Sequence, residues 1–369
     1  MKLLIVEDDP SVIENYKKEI QAYNEDRKIN HQKDISIQAT IIKKKDKALI
    51  AIRNTQNSFD AAIVDLNLLG IGHEDSSGND VIREIKKSLR FPVFVITGTP
   101  THLDDNIKGD SCLFKLITRG EEDDYLEQLV AIYNTGITKI LNKTGDIERY
   151  ITEIFWNHIS NSLDLWIKDE TRSFEKKQKS LLRYTLLHIQ EYLDINSAGG
   201  LEKYHPAEFL ITKPVKPNMF TGDILEDESC NRYVILTPAC DIDLKNNIRK
   251  AEKILTLKII EPKDIDAEYS NKNMSNTKMN KLKPILSNSI PRYHFIPRIG
   301  GFNNGVIDFQ DKKLFDVEEL TNLITSNSIK RIATISSPFL KDIIARYSNY
   351  YSRQGSPDFN QEELLKSLF

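Results

Sequence analysis

Residues Phe59–Gly70 read FDAAIVDLNLLG. An aromatic residue opens the run, small and β-branched apolar residues continue it, and Asp65 stands where it stops. A short, continuous apolar run of this kind is the pattern of a strand buried on both faces, as in parallel sheets. Moving outward, the pattern recurs on either side. Leu3–Pro10 reads LLIVEDDP, an apolar run meeting three acids, Glu7, Asp8 and Asp9. Pro92–Gly98 reads PVFVITG and ends on Thr97. Ile35–Ile42 is a further strand expectation. Between these runs, Ser11–Tyr23, Lys45–Asn54 and Val81–Ser88 place apolar residues at helical spacing. A βαβα series of this kind predicts a doubly wound parallel sheet with helices on both faces.

The series then stalls. Residues Thr99–Glu122 are largely polar, enclosing one short apolar run, Cys112–Ile117, and are expected as an insertion. Helix resumes over Asp123–Tyr133. Thr138–Leu141 is expected as the fifth strand, with Lys143 just beyond it and a helix from Asp146. In an open parallel sheet, ligands bind outside the carboxyl ends of the strands. Glu7, Asp8, Asp65, Thr97 and Lys143 should therefore meet at one edge. Crowded carboxylates hold a hard divalent cation through oxygen. An aspartate can act as a nucleophile toward phosphorus, with a hydroxyl and an ammonium on the phosphoryl oxygens.

These stretches resemble the CheY-like receiver domains of two-component response regulators. The likeness covers residues 1–160 and rests on Leu3–Pro10, Phe59–Gly70, Pro92–Gly98 and Gly136–Lys143, the last reading GITKILNK. It implies that Asp65 is the phospho-acceptor and that Thr97 and Lys143 contact the phosphoryl group. It implies Mg2+ bound by Glu7, Asp8, Asp65 and the backbone carbonyl of Asn67, and a partner histidine kinase. Lys115 is the rival to Lys143. The chain departs from the family in several places. The loop after Asp65 is long and carries His73, Glu74 and Asp75; Thr144 stands where a proline is usual; and the position usually held by an aromatic falls on Ile140.

The 369 residues fit two or three domains, and 40% hydrophobic residues suffice for real cores. A net charge of −3 gives no basic excess for nucleic acid. Three cysteines, Cys112, Cys230 and Cys240, match neither a zinc spacing nor a disulfide framework. Acids at Glu7–Asp9 argue against a secretory signal. No apolar run reaches the ~20 residues of a membrane span. The expectation is a soluble cytoplasmic protein.

Two helices, with apolar stripes from Ile147 to Trp166 and from Leu181 to Leu193, are expected as a connector over 161–200. Residues 201–369 change texture, with prolines between short strand-like runs at Asp223–Leu225, Tyr233–Thr237, Ile254–Ile260, His294–Pro297 and Val306–Phe309. An amphipathic helix over Pro338–Tyr351 completes an α+β module. No basic recognition helix, phosphate loop or nucleophile elbow stands out. The layout of the whole chain resembles the intermediary receiver protein of defensive (anti-phage) two-component systems. That implies a phosphorelay protein that binds no DNA, with a downstream effector and a homodimer allowed. It implies no enzyme activity beyond Mg-dependent phosphorylation and dephosphorylation of the receiver itself. The alternative is a receiver-gated hydrolase or nuclease around Cys240 and Asp241, with His205 or His294 as the cysteine's partner.

Overall fold

The structure, a computed structural model, describes residues 1–29, 36–54, 58–68, 77–109, 111–121, 123–196, 198–245, 248–271, 273–353 and 359–368. The expectations for His73, Glu74 and Asp75 lie outside these residues. Two compact units divide the chain at Met1–Glu202 and Lys203–Phe369.

In the first unit, strands β1 (Lys2–Val6), β2 (Gln38–Ile42), β3 (Ala61–Val64), β4 (Val93–Thr97) and β5 (Phe114–Thr118) form one sheet. Its order is β2-β1-β3-β4-β5 and every pairing is parallel. This is the doubly wound order with its switch point between β1 and β3, the arrangement of the receiver fold. The central strands are buried residue by residue, β3 and β4 completely, because helices cover both faces. Helices α1 (Pro10–Ile29) and α4 (Tyr125–Asn134) pack Tyr16, Ile20, Leu126 and Leu129 against Leu3, Ile5, Ile63 and Phe94 on one face. Helices α2 (Lys45–Arg53) and α3 (Ser77–Ser88) pack Ala48, Ile52, Val81 and Ile85 against Leu4, Val6, Val64 and Val95 on the other.

Two expectations fail here. The stretch 99–122 is no insertion, since it supplies the fifth strand. It also buries Leu103 and Ile107 in the core. Thr138–Leu141 is not a strand but lies in a short helix, α5 (Ile137–Leu141), entered through Gly136 at φ 78°. Asn142 just after it donates its side-chain amide to the Phe59 carbonyl (3.0 Å), and Arg90 donates to the Leu141 carbonyl (2.9 Å). Phe59 and Arg90 precede β3 and β4, so this segment sits at the amino ends of the strands. That is the edge opposite the one its lysine was expected to reach. Ile140, outside any strand, holds no switch position.

The unit continues through α6 (Asp146–Ile154), a π-helical turn at Phe155–Ile159, α7 (Ser160–Ser162) and α8 (Asp164–Ile167), and returns along α9 (Phe174–Leu193).

The second unit is built on a seven-stranded sheet. Its strands are β6 (Leu210–Ile211), β7 (Asp223–Asp227), β8 (Arg232–Ile235), β9 (Lys253–Ile260), β10 (Tyr293–Ile296), β11 (Gly305–Asp316) and β12 (Ile329–Ile335). The order is β10-β11-β9-β8-β7-β12-β6, antiparallel throughout. Its helices include α10 (Ala239–Ile242), α11 (Pro262–Ile265), α12 (Asn276–Leu286), α13 (Val317–Thr325), α14 (Ser337–Ser352) and α15 (Gln361–Ser367). The expected α+β class holds, and α14 coincides with the amphipathic stretch read from sequence. Asp223 is buried between strands, where Arg331 (2.8 Å) and Thr334 from β12 both donate to it. Among the described residues, no helix is long and apolar enough to cross a membrane.

Candidate functional site: an acidic cleft at the carboxyl edge of the parallel sheet

The site begins with strand ends. Glu7 follows β1, its backbone N–H donating to the Ile42 carbonyl at 3.1 Å. Asp65 follows β3, anchored by its N–H on the Val6 carbonyl at 2.9 Å. Thr97 closes β4. The parallel register therefore delivers three functional side chains to one edge. Asp9, the third acid of the run, does something else. Its carboxylate accepts from the backbone N–H (2.7 Å) and hydroxyl (2.6 Å) of Ser11, and Pro10 opens α1. This is helix capping, and Asp9 lines the wall of the cleft from that position.

Glu7, Asp8 and Asp65 each bring a carboxylate oxygen within 4.8 Å of the others. Glu7 and Asp65 are buried. The cleft they line has a volume of about 360 Å³, and Asn67, Thr97 and Arg119 share its walls. Arg119 directly follows β5. Its backbone N–H donates to the Thr97 carbonyl at 2.8 Å. Its guanidinium lies 2.6 Å from Glu7 and 3.1 Å from Asp65. Burial, and then the Asp65 charge beside it, pushes the Glu7 carboxyl up to about 7, against the pull of Arg119. The buried Thr97 hydroxyl sits 3.4 Å from that of Thr99 and accepts from the Thr99 N–H at 3.3 Å. Asp65 is oriented on its other oxygen by the Leu66 N–H at 2.8 Å.

Of the residues expected from sequence, the structure brings together Glu7, Asp8, Asp65, Asn67 and Thr97. It does not bring Lys143, whose charge bears on Glu84 of α3 and which follows α5 at the opposite edge. Lys115 does not enter the cleft either. It lies mid-strand on β5, paired with Phe94, and donates to Gln128 of α4. Arg119 holds the cationic position instead. The signal for it was the short apolar run before it, once that run is taken as a strand. Gly78 was also missed. A Cβ there would lie 2.1 Å from the Asp65 carbonyl oxygen and 2.7 Å from the Leu66 Cα, so α3 can approach the end of β3 only through glycine.

The donor set fits a hard divalent cation: three carboxylates, all oxygen, in an open cleft. The second candidate centre does not assemble. Cys240 is exposed on α10 and contacts Asp241 at 3.5 Å. His294 is buried on β10, bound to Asp342 at 3.2 Å and to the Phe295 carbonyl at 3.0 Å. His205 accepts from the Ala207 N–H in its own helical cap.

No protein-family profile matches the chain, and no curated protein matches it. Solved structures similar to it include CheY-like receiver domains. One is the N-terminal domain of a response regulator/sensory box/GGDEF three-domain protein from Carboxydothermus hydrogenoformans (17% identity; 37% of this chain and 99% of that one; TM-score 0.28). Another is the receiver domain of a sensor histidine kinase from Pseudomonas aeruginosa, solved with magnesium in its active-site cleft (16%; 36% and 95%; 0.25). A third is a CheY-like response regulator receiver domain protein from Methanospirillum hungatei (16%; 36% and 94%; 0.25).

Proposed function

We propose that the first unit accepts a phosphoryl group on Asp65 from a partner histidine kinase, and that the chain is a response regulator or phosphorelay intermediary. The observation that supports this is the convergence of Asp65, two further acids, Thr97 and Arg119 in one cleft. Glu7, Asp8, Asp65 and the Asn67 carbonyl would hold Mg2+. When bound, the ion supplies charge neutralisation for an incoming phosphate.

The chain's own residues do the rest. The Leu66 N–H fixes one oxygen of the Asp65 carboxylate. A carboxylate oxygen attacks phosphorus, forming the P–O bond of an acyl phosphate. The P–N bond to the donor imidazole breaks, and the leaving nitrogen keeps the electron pair and takes up a proton. Arg119 turns from the carboxylates to the new phosphoryl oxygens, and the Thr97 hydroxyl donates to another. Phosphoryl transfer needs such positioning and charge placement more than covalent help. A place in phage defence, and an effector read through the second unit, rest on the likeness of the chain's layout alone.

Incubation with a labelled small phosphodonor and Mg2+ tests the reading. Wild type should take up base-labile label that Asp65→Asn does not, and EDTA should abolish uptake. Equal labelling of wild type and Asp65→Asn would refute it.

A further inference from the structure

The segment from α6 to α9 is an antiparallel hairpin, and its inner seam is aromatic. Trp166 meets Tyr184 with ring centroids 5.0 Å apart. The His158 imidazole lies 2.8 Å from the Tyr192 hydroxyl. Tyr150 meets Tyr192 at 5.6 Å. Yet from Phe155 to Leu193 not one residue is buried. Two helices of this length cannot enclose a core by themselves; bundles close with four.

Trp156, Leu165, Phe174 and Leu187 are exposed singly, but eight other apolar residues fall in two rows. On the outgoing helices Ile151 and Ile167 stand one position past the seam residues Tyr150 and Trp166, with Phe155 and Leu163 between them. Leu182, Leu186, Ile189 and Leu193 form the matching stripe on α9 at i, i+4, i+7 and i+11; three of the four are 55–60% exposed. In an antiparallel pair, one residue past the seam turns both helices to the same side of the pair. The two stripes therefore make one apolar face. Three of these eight are no more than 36% exposed and the other five are 51–65% exposed. Together they present roughly 700 Å², close to the ~800 Å² each partner contributes to a standard interface and above the ~300–600 Å² of a typical monomer's largest patch.

We infer that this face is covered by the same face of a second copy of the chain, making a two-fold four-helix bundle with α9 antiparallel to α9. Charge selects this occupant and this direction. The first half of α9 is basic, through Lys176, Lys177, Lys179 and Arg183, whereas Glu191 and Asp194 make its end acidic. A two-fold axis through the middle of the stripe sets Arg183 level with Tyr192 of the other copy, two residues (about 3 Å of rise) from Asp194 and within reach of its carboxylate. Isologous pairing uses one self-complementary patch twice, as a face with opposite charge at its two ends requires. The inference does not depend on Asp65 chemistry.

Sedimentation equilibrium of the full chain at low-micromolar concentration tests it. Wild type should show twice the chain mass. Leu182→Asp/Leu186→Asp should show the chain mass with unchanged helix content, because neither side chain is buried within one copy. Arg183→Glu should weaken the dimer roughly fivefold through two symmetric contacts, and adding Asp194→Lys should restore it. A wild-type protein at the chain mass overturns the proposal. So does a dimer that survives the double aspartate variant, or a charge swap that fails to restore a weakened one. Should the aspartate variant lose helix content, the swap series alone decides.

Discussion

Arg119→Gln leaves Glu7 and Asp65 facing each other without their cation. Glu7 is 1% exposed and the guanidinium 32%, so the pair counts as buried on one side and partly screened on the other. Removing one partner of a buried pair costs about 3–5 kcal/mol, and partial screening puts this case near ~3 kcal/mol. In a unit of this size that lowers the melting midpoint by about 6–12 °C. The loss depends on pH, with a defined sign. The Glu7 carboxyl, raised from 4.5 to about 7, keeps a proton that the unfolded chain has released. Its contribution to stability is present at low pH and fades as pH rises through about 7. Without Arg119 its proton affinity rises further, so at about pH 6 the proton replaces the lost cation. The gap between variant and wild type should therefore widen from pH 6 to pH 8. Mg2+ acts on the same carboxylates, and a ligand stabilises in proportion to RT ln(1 + [L]/Kd). The variant should thus gain more from Mg2+ than wild type does. Calorimetric scans in EDTA and in excess Mg2+, at both pH values, with titration calorimetry for the Mg2+ affinity, read all of this out. If Arg119→Gln melts within about 2 °C of wild type in EDTA at pH 8, or Mg2+ stabilises both proteins equally, Arg119 is not the counter-charge of the cluster.

Three further outcomes are expected. Gly78→Ala should destabilise the first unit by roughly 3 kcal/mol or more, because the added methyl meets backbone at 2.1 Å; a chemical-denaturation midpoint unchanged from wild type would contradict this. Lys143→Ala should leave phosphodonor labelling at the wild-type rate while Thr97→Ala slows it severalfold, and a tenfold loss in Lys143→Ala would return the lysine to the site. In the second unit, burial lowers the pKa of His294 from 6.5 while Asp342 opposes the shift. Its neutral form therefore supports the fold above about pH 6.5, and that support is lost as pH falls. Protection factors of β10 and β11 amides, taken against the intrinsic exchange rate at each pH, should fall between about pH 7 and pH 5, and protection that stays flat over that range rules the effect out.

The parts of the site legible in the sequence were those whose strands are buried on both faces. β1, β3 and β4 are uninterrupted apolar runs, so their ends, and hence Glu7, Asp65 and Thr97, could be placed without a structure. β5 lies at the edge of the sheet. Its burial is broken, with Leu116 exposed and Lys115 half-buried, so most of it reads only within the brief apolar run Cys112–Ile117 inside a polar stretch. Thr138–Leu141 offered a rival run of four residues in the expected order, between two helical stretches. Over so few residues, periodicity does not separate strand from helix, and the β-branched Ile137, Thr138 and Ile140 favoured the wrong choice. The lysine error followed from that strand error. In the second unit, β11 was cut at Phe309 because Gln310–Lys313 face solvent, where its register against β9 shifts between Ile307 and Lys312.

Placing Arg119 rather than a lysine after β5 changes how the site balances its charge. A guanidinium presents several donors in a fixed plane, whereas an ammonium is a point charge on a flexible stem. Here one nitrogen lies near both Glu7 and Asp65, and the backbone of the same residue is tied to the Thr97 carbonyl. The cleft therefore carries its own cation, and its position is coupled to the junction of β4 and β5. On the proposed reading, a phosphoryl group on Asp65 draws the guanidinium off Glu7, whose charge the Mg2+ held by the same carboxylates would then balance. The cleft trades one counter-ion for another without leaving a bare buried charge, which is the condition for cycling between the two states at small cost in stability.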